Sequence, residues 1–76
     1  MPQDTGLHQE FTIEDTFYYF GRIYGMSSES IKIQSNFLST FLELPEQNHM
    51  VGHCSGGQKR RLSLAVALMH YPDLLI

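Results

Sequence analysis

Val51-Gly52-His53-Cys54-Ser55-Gly56-Gly57-Gln58-Lys59-Arg60-Arg61-Leu62-Ser63-Leu64-Ala65-Val66-Ala67-Leu68 decides how the rest of the chain is read. A serine followed three residues later by a glutamine is a capping-box pattern: the Ser55 hydroxyl accepts from the Gln58 amide while Gln58 reaches back. Leu62, Ala65, Val66 and Met69 then recur at helical spacing, which predicts a helix from Gly56 to near His70. Its first two positions are glycines, each disfavoured there by about 1 kcal/mol relative to alanine. Without Cβ atoms a bulky anion can reach the backbone, and the first amides of a helix are unpaired donors backed by roughly half an elementary charge. Such an end suits phosphate. The Ser55 hydroxyl adds a donor, and Lys59, Arg60 and Arg61 raise the local positive potential. Taken alone, these four residues also fit an ordinary N-cap on a flexible turn.

Downstream, Pro72 and Asp73 interrupt the helix, and Leu74-Leu75-Ile76 reads as the opening of a buried strand that the chain does not complete. That ending is expected of a fragment. Upstream, residues 45–54 are polar, contain Gly52 and read as a connecting loop. A second helix precedes it, capped by Ser27 or Ser28 and limited by Pro45. In it Ile33, Phe37, Phe41 and Leu44 make an apolar stripe that Ile31, Leu38 and Leu42 widen. Gly25 ends a first helix. Thr12 opens that helix with Asp15 in a carboxylate capping box, Glu14 and Asp15 suit its positive end, and Ile13, Phe17, Phe20 and Tyr24 form its stripe. Residues 1–11 read as loop.

Seventy-six residues allow one small domain with a modest core. A chain of this size buries only about 60% of its unfolded surface, so on its own it is expected to be loosely packed or self-associating. The single cysteine, Cys54, excludes an internal disulfide. The longest apolar run, residues 64–69, falls far short of the roughly 20 residues needed to cross a bilayer. Residues 1–46 hold seven acids and two bases, and residues 47–76 one acid and three bases, so the two halves are expected to meet different neighbours. Net charge is −3 and the bases do not spread along one helix, which argues against a nucleic-acid partner. His49, His53 and Cys54 lie in predicted loop without a second ligand pair for zinc, His8 and His70 are isolated, and Cys54 has no assigned base, which argues against metal binding and nucleophilic catalysis.

The segment from Val51 to Leu68, followed by Tyr71-Pro72-Asp73-Leu74-Leu75-Ile76, resembles the signature region of ATP-binding cassette (ABC) transporter nucleotide-binding domains. Met1-Pro2-Gln3 looks like that family's Q-loop, and residues 11–44 look like its helical subdomain. The resemblance covers the whole chain. Tyr18-Tyr19-Phe20-Gly21-Arg22 and Lys59-Arg60-Arg61 are most like the G subfamily and its arthropod H-subfamily relatives. The fold class implied is mainly α: the helical subdomain and signature helix of a P-loop α/β ATPase domain, truncated at both ends. Its parts would be a Q-loop region at 1–11, helical subdomain at 12–54, signature helix at 55–71 and the start of the Walker B strand at 72–76.

By position, the resemblance implies that Gln3 is the Q-loop glutamine, which contacts the catalytic Mg2+ and water. It implies that Ser55, Gly56, Gly57 and Gln58 bind the ATP held by a second, opposing nucleotide-binding domain. It also implies a parent that couples ATP binding and hydrolysis to transmembrane export from the cytoplasmic face of a membrane. A transmembrane domain would dock on the helical subdomain, where Tyr18 and Tyr19 lie off the core stripe and suit such an interface. Cys54 departs from the family's usual leucine before the serine; it is expected to keep the burial and leave a void. The chain contains no G-x-x-x-x-G-K-[ST] phosphate loop and no Walker B carboxylate, so these residues alone are expected to show no ATPase activity. Two alternatives stand beside this one: a truncated product without independent activity, and part of a soluble non-transport ABC protein.

Overall fold

The computed structural model describes residues 8–69, which form three helices: α1 (Ile13–Ile23), α2 (Ser28–Phe41) and α3 (Gly56–Met69), with a short 3-10 turn at Val51–His53. The described residues contain no strand, only an isolated antiparallel bridge between Thr12 and Met50. This is the mainly helical architecture expected. Gln3, the end of the third helix at His70 and the apolar residues 74–76 lie outside the described residues.

The first helix starts where its capping residues require. The Thr12 hydroxyl accepts from the Asp15 amide at 3.1 Å and the Asp15 carboxylate accepts from the Thr12 amide at 3.2 Å. It ends at Tyr24 in a Schellman motif: Met26 N–H donates to Gly21 O at 2.9 Å and Gly25 N–H to Arg22 O at 3.0 Å, with Gly25 at φ 80°. The second helix is capped by the Ser27 hydroxyl, which accepts from Ser30 N at 3.2 Å. Its far end repeats the Schellman pattern, Leu44 N–H to Ser39 O at 2.8 Å and Glu43 N–H to Thr40 O at 3.3 Å. The left-handed position here is a glutamate, Glu43 at φ 55°. An L side chain there costs roughly 1–2 kcal/mol that a glycine avoids.

Ile13, Phe17, Ile31, Leu38, Val51, Leu62, Ala65 and Met69 make the buried centre, with Cys54 beside them. In α1 the expected stripe is present, fully buried at Ile13 and Phe17 and half-buried at Phe20 and Tyr24. In α2 the expected face holds only in part: Ile31 and Leu38 are buried and Leu42 and Leu44 pack against the core, but the rest of the stripe points outward. Ile33, Phe37 and Phe41 are 61%, 47% and 65% exposed, and the buried face is Ile31, Ser35 and Leu38. Both sets are helically spaced, and contact with α1 and α3 selects between them. Gly21 makes that contact possible: a Cβ there would stand 2.5 and 2.7 Å from Ile31 Cγ1 and Cδ1 and 3.2 Å from Met69 Cε. The bare surface of α1 thus receives Ile31, and the rest of α2's face follows from that register. The exposed Phe37 and Phe41 stack on each other with ring centroids 5.8 Å apart.

Candidate functional site

The start of α3 carries the capping box that its sequence predicts. The Ser55 hydroxyl accepts from the Gln58 amide at 3.1 Å, Gln58 Oε1 accepts from the Ser55 amide at 2.9 Å, and Lys59 N–H donates to Ser55 O at 2.9 Å. Among the described residues the amides of Gly56 and Gly57 have no hydrogen-bond partner. Both residues are exposed, and a Cβ added to either would meet nothing within 4 Å. The turn therefore presents two open backbone donors. Ser55 keeps its hydroxyl proton to donate, because its oxygen serves only as acceptor to Gln58. No acid stands in the first turn of α3, and Lys59, Arg60 and Arg61 follow directly. An anion is favoured here by the open amides, the helix dipole and the nearby bases together. Gln58 Oε1 is committed to the cap, which leaves its Nε2 group as the part able to meet a ligand.

Cys54, directly before the serine, is buried and belongs to the core cluster; its Sγ donates to Met50 O at 3.6 Å. Burial pushes the thiol up from its ordinary range, with Lys59 pulling the other way. The thiol is held protonated at neutral pH, so Cys54 supports the turn as packing.

His49 and His53 lie edge-on with ring centroids 6.4 Å apart, and among the described residues no group of three or more His, Cys, Asp or Glu is gathered around a metal position. Tyr18 and Tyr19 differ. Tyr18 is half-buried against the core with the Arg22 guanidinium 6.0 Å from its ring centre. Tyr19, 42% exposed, stands in an aromatic group with His8 at 5.1 Å, Phe11 at 5.5 Å and Phe20 at 5.1 Å between ring centroids. His8 is thus exposed yet stacked against aromatic rings rather than isolated.

Residues 9–14 and 47–52, which read from sequence as separate loops or helix ends, are joined. Val51 N–H donates to Phe11 O at 2.8 Å and Gly52 N–H to Gln9 O at 3.0 Å, while Ile13 and Glu14 N–H donate to His49 O and Gln47 O, both at 3.0 Å. The signal available was the demand itself, since the backbone groups of a loop lying on the core must find partners. No local spacing says which.

Residues 1–76 match the ABC transporter family throughout. ABC transporter G family member 23 of Dictyostelium discoideum is 44% identical over 75 residues, covering 99% of this chain and 11% of that protein. The Nod factor export ATP-binding protein I of Rhizobium sp. (strain N33) is 44% identical over 77 residues, covering 100% of this chain and 25% of that protein. The ABC transporter ATP-binding protein NatA of Bacillus subtilis is 34% identical over 74 residues, covering 96% of this chain and 30% of that protein. No solved structure matches the chain. No helix among the described residues is long and apolar enough to cross a membrane. With every residue inside the match, the chain belongs to the ABC transporter family.

Proposed function

We propose that this chain is the helical part of an ABC transporter's ATP-binding domain, and that its turn at residues 55–58 grips the polyphosphate of an ATP held by a second, opposing domain. The observation that carries this is the pair of unpartnered amides at Gly56 and Gly57, with open space at both Cβ positions and three bases directly behind them. In this role Ser55 donates its hydroxyl and the two glycines donate their N–H groups to phosphate oxygens, while Gln58 holds the turn in shape. These donors are fixed by the helix before the ligand arrives, so little ordering is lost on engagement. The parent would couple ATP binding and hydrolysis to export, the activity carried in the name of the Nod factor export relative. Tyr19 and its aromatic neighbours would meet the transmembrane domain, with Tyr18 supporting them from the core side. Gln3 would contact Mg2+ and the attacking water from the Q-loop.

Gly57→Asp tests this in a full-length ABC transporter carrying residues 1–76. It adds bulk where the backbone must come close, and a negative charge facing a polyphosphate. Two unit charges about 4 Å apart at an effective dielectric near 20 repel by roughly 4 kcal/mol. ATP-dependent domain dimerisation and turnover are expected to collapse while each separate domain still binds nucleotide. Wild-type dimerisation and turnover in a correctly folded Gly57→Asp protein would leave an ordinary N-cap as the better account.

A further inference from the structure

The bonded seam between residues 9–14 and 47–52 ends three positions before Ser55, at Gly52. Gly52 does not adopt the left-handed conformation, so its backbone does not demand a glycine. Close approach favours one. A Cβ at this position would stand 3.1 Å from Gln9 O, the same carbonyl that accepts the Gly52 N–H at 3.0 Å, and 3.5 Å from both Cβ and Oε1 of Gln9. Beyond Gly52 the chain has no slack. His53 N–H donates to Met50 O and Cys54 N–H to Val51 O, both at 3.0 Å, and Val51 and Cys54 are set in the core. Ser55 N–H is then held by Gln58. A continuous run of backbone bonds and buried side chains thus links Gln9 to the donors of the turn.

We propose that Gly52 is a positioning residue for the nucleotide-facing turn: by letting the seam close onto Gln9, it fixes where the Ser55 hydroxyl and the Gly56 and Gly57 amides stand relative to the segment that leads into α1. This rests on the phosphate-facing role of the turn and adds a control over it. Whatever displaces the Gln9 and Phe11 carbonyls moves the donors with them, because backbone bonds and buried side chains link these carbonyls to Ser55. A side chain at Gly52 pries the seam open and shifts the donors by part of an ångström, and misplacement on that scale reduces rates severely when a group must meet its target in one geometry.

The experiment uses the full-length ABC transporter carrying residues 1–76, with Gly52→Val, Gly52→Ala, Gly52→Val combined with Gln9→Gly, Gly21→Ala and Gly57→Asp. Thermal midpoint, nucleotide binding by the separate domain, ATP-dependent dimerisation, and kcat and KM per folded molecule are measured for each. Gly52→Val is expected to lower dimerisation and kcat about tenfold with nucleotide binding by the separate domain unchanged, and Gly52→Ala about threefold, which keeps the test open if the valine variant folds poorly. Adding Gln9→Gly removes side-chain atoms 3.5 Å from the new Cβ but leaves the Gln9 carbonyl at 3.1 Å, so it is expected to recover only a small part of the loss; full recovery would place the strain on the Gln9 side chain rather than on the seam and would overturn the positioning role. Gly21→Ala strains the contact of α1 with Ile31 of α2 and with Met69 at the end of α3 opposite the turn; it is expected to lower the thermal midpoint and leave kcat per folded molecule as in wild type. Wild-type kcat and dimerisation in both Gly52 variants, alongside a severe Gly57→Asp, would overturn the positioning role alone. So would a Gly52→Val loss that tracks the thermal midpoint as Gly21→Ala does. A harmless Gly57→Asp would remove the phosphate-facing role and this proposal together.

Discussion

At the start of α1, Thr12 and Asp15 exchange the two hydrogen bonds of a capping box, and the next two amides, Ile13 and Glu14, are taken up by the carbonyls of His49 and Gln47. At the start of α3, Ser55 and Gln58 exchange the same two bonds, yet the amides of Gly56 and Gly57 find no partner among the described residues. The first turn of α1 carries Glu14 and Asp15; that of α3 carries no acid, and Lys59, Arg60 and Arg61 follow the glycines. The two boxes do the same local job of starting a helix. What separates them is whether a neighbouring loop comes back over the first amides. Where it does, the helix end is stitched into the fold. Where it does not, two donors and a positive field stay open. Capping residues alone therefore mark a helix start and leave its use undecided.

That contrast predicts separable effects, measured in a full-length ATP-binding domain carrying residues 1–76. The largest change in stability is expected behind the α1 start. Phe17 is fully buried, and Phe17→Ala should cost about 3–5 kcal/mol. The half-exposed Phe37, which stacks on Phe41, should cost only about 0.5–1.5 kcal/mol when replaced by serine. Equal losses at the two positions in denaturant unfolding would show that α2 docks by its other face. A sharper pair compares the boxes themselves. Thr12→Ala should cost about 1 kcal/mol of stability and leave ATP-dependent dimerisation of the folded domain unchanged. Ser55→Ala should cost a similar amount and, under the proposed role of its hydroxyl as a phosphate donor, also weaken that dimerisation several-fold. A Thr12→Ala protein as weak in dimerisation as Ser55→Ala would erase the distinction. The smallest effect concerns the helix ends. Both α1 and α2 close in Schellman motifs, with Gly25 at the left-handed position of one and Glu43 at that of the other. Glu43→Gly should raise stability by up to about 1 kcal/mol with no effect on nucleotide handling. A destabilised Glu43→Gly protein would mean that the glutamate side chain makes a contact worth more than its backbone strain.

The features legible in the sequence are those decided within four residues. The Thr12, Ser27 and Ser55 caps, the Gly25 stop and the first stripe of α1 each depend on local spacing, and each stands in the structure as read. The α2 face was not legible, because Ile33, Phe37 and Phe41 and the set built on Ile31 and Leu38 are both helically spaced, and the richer apolar set is the exposed one. The choice was made by Gly21 on another helix, whose missing side chain admits Ile31. The seam between residues 9–14 and 47–52 escaped for a related reason: its bonds join backbone groups far apart in the chain, and backbone groups carry no residue-type signal. Of the candidate site, Ser55, Gly56, Gly57 and Gln58 were visible as a glycine-led cap before a basic run. That the glycine amides stay open while those of Ile13 and Glu14 do not is visible only once the loop is placed.

The central claim is that the open turn of α3 serves a nucleotide bound across an interface rather than on its own domain. It is tested most directly with a mixed pair of full-length ATP-binding domains, both carrying residues 1–76, of which one bears Gly57→Asp and a distinguishing tag. A photoreactive ATP analogue, trapped in the closed pair, reports which domain retains nucleotide. The account predicts retention on the Gly57→Asp domain, whose nucleotide meets the intact turn of its partner, and loss from the unmodified domain opposite the altered turn. Loss from the Gly57→Asp domain itself, or full retention on both, would contradict it.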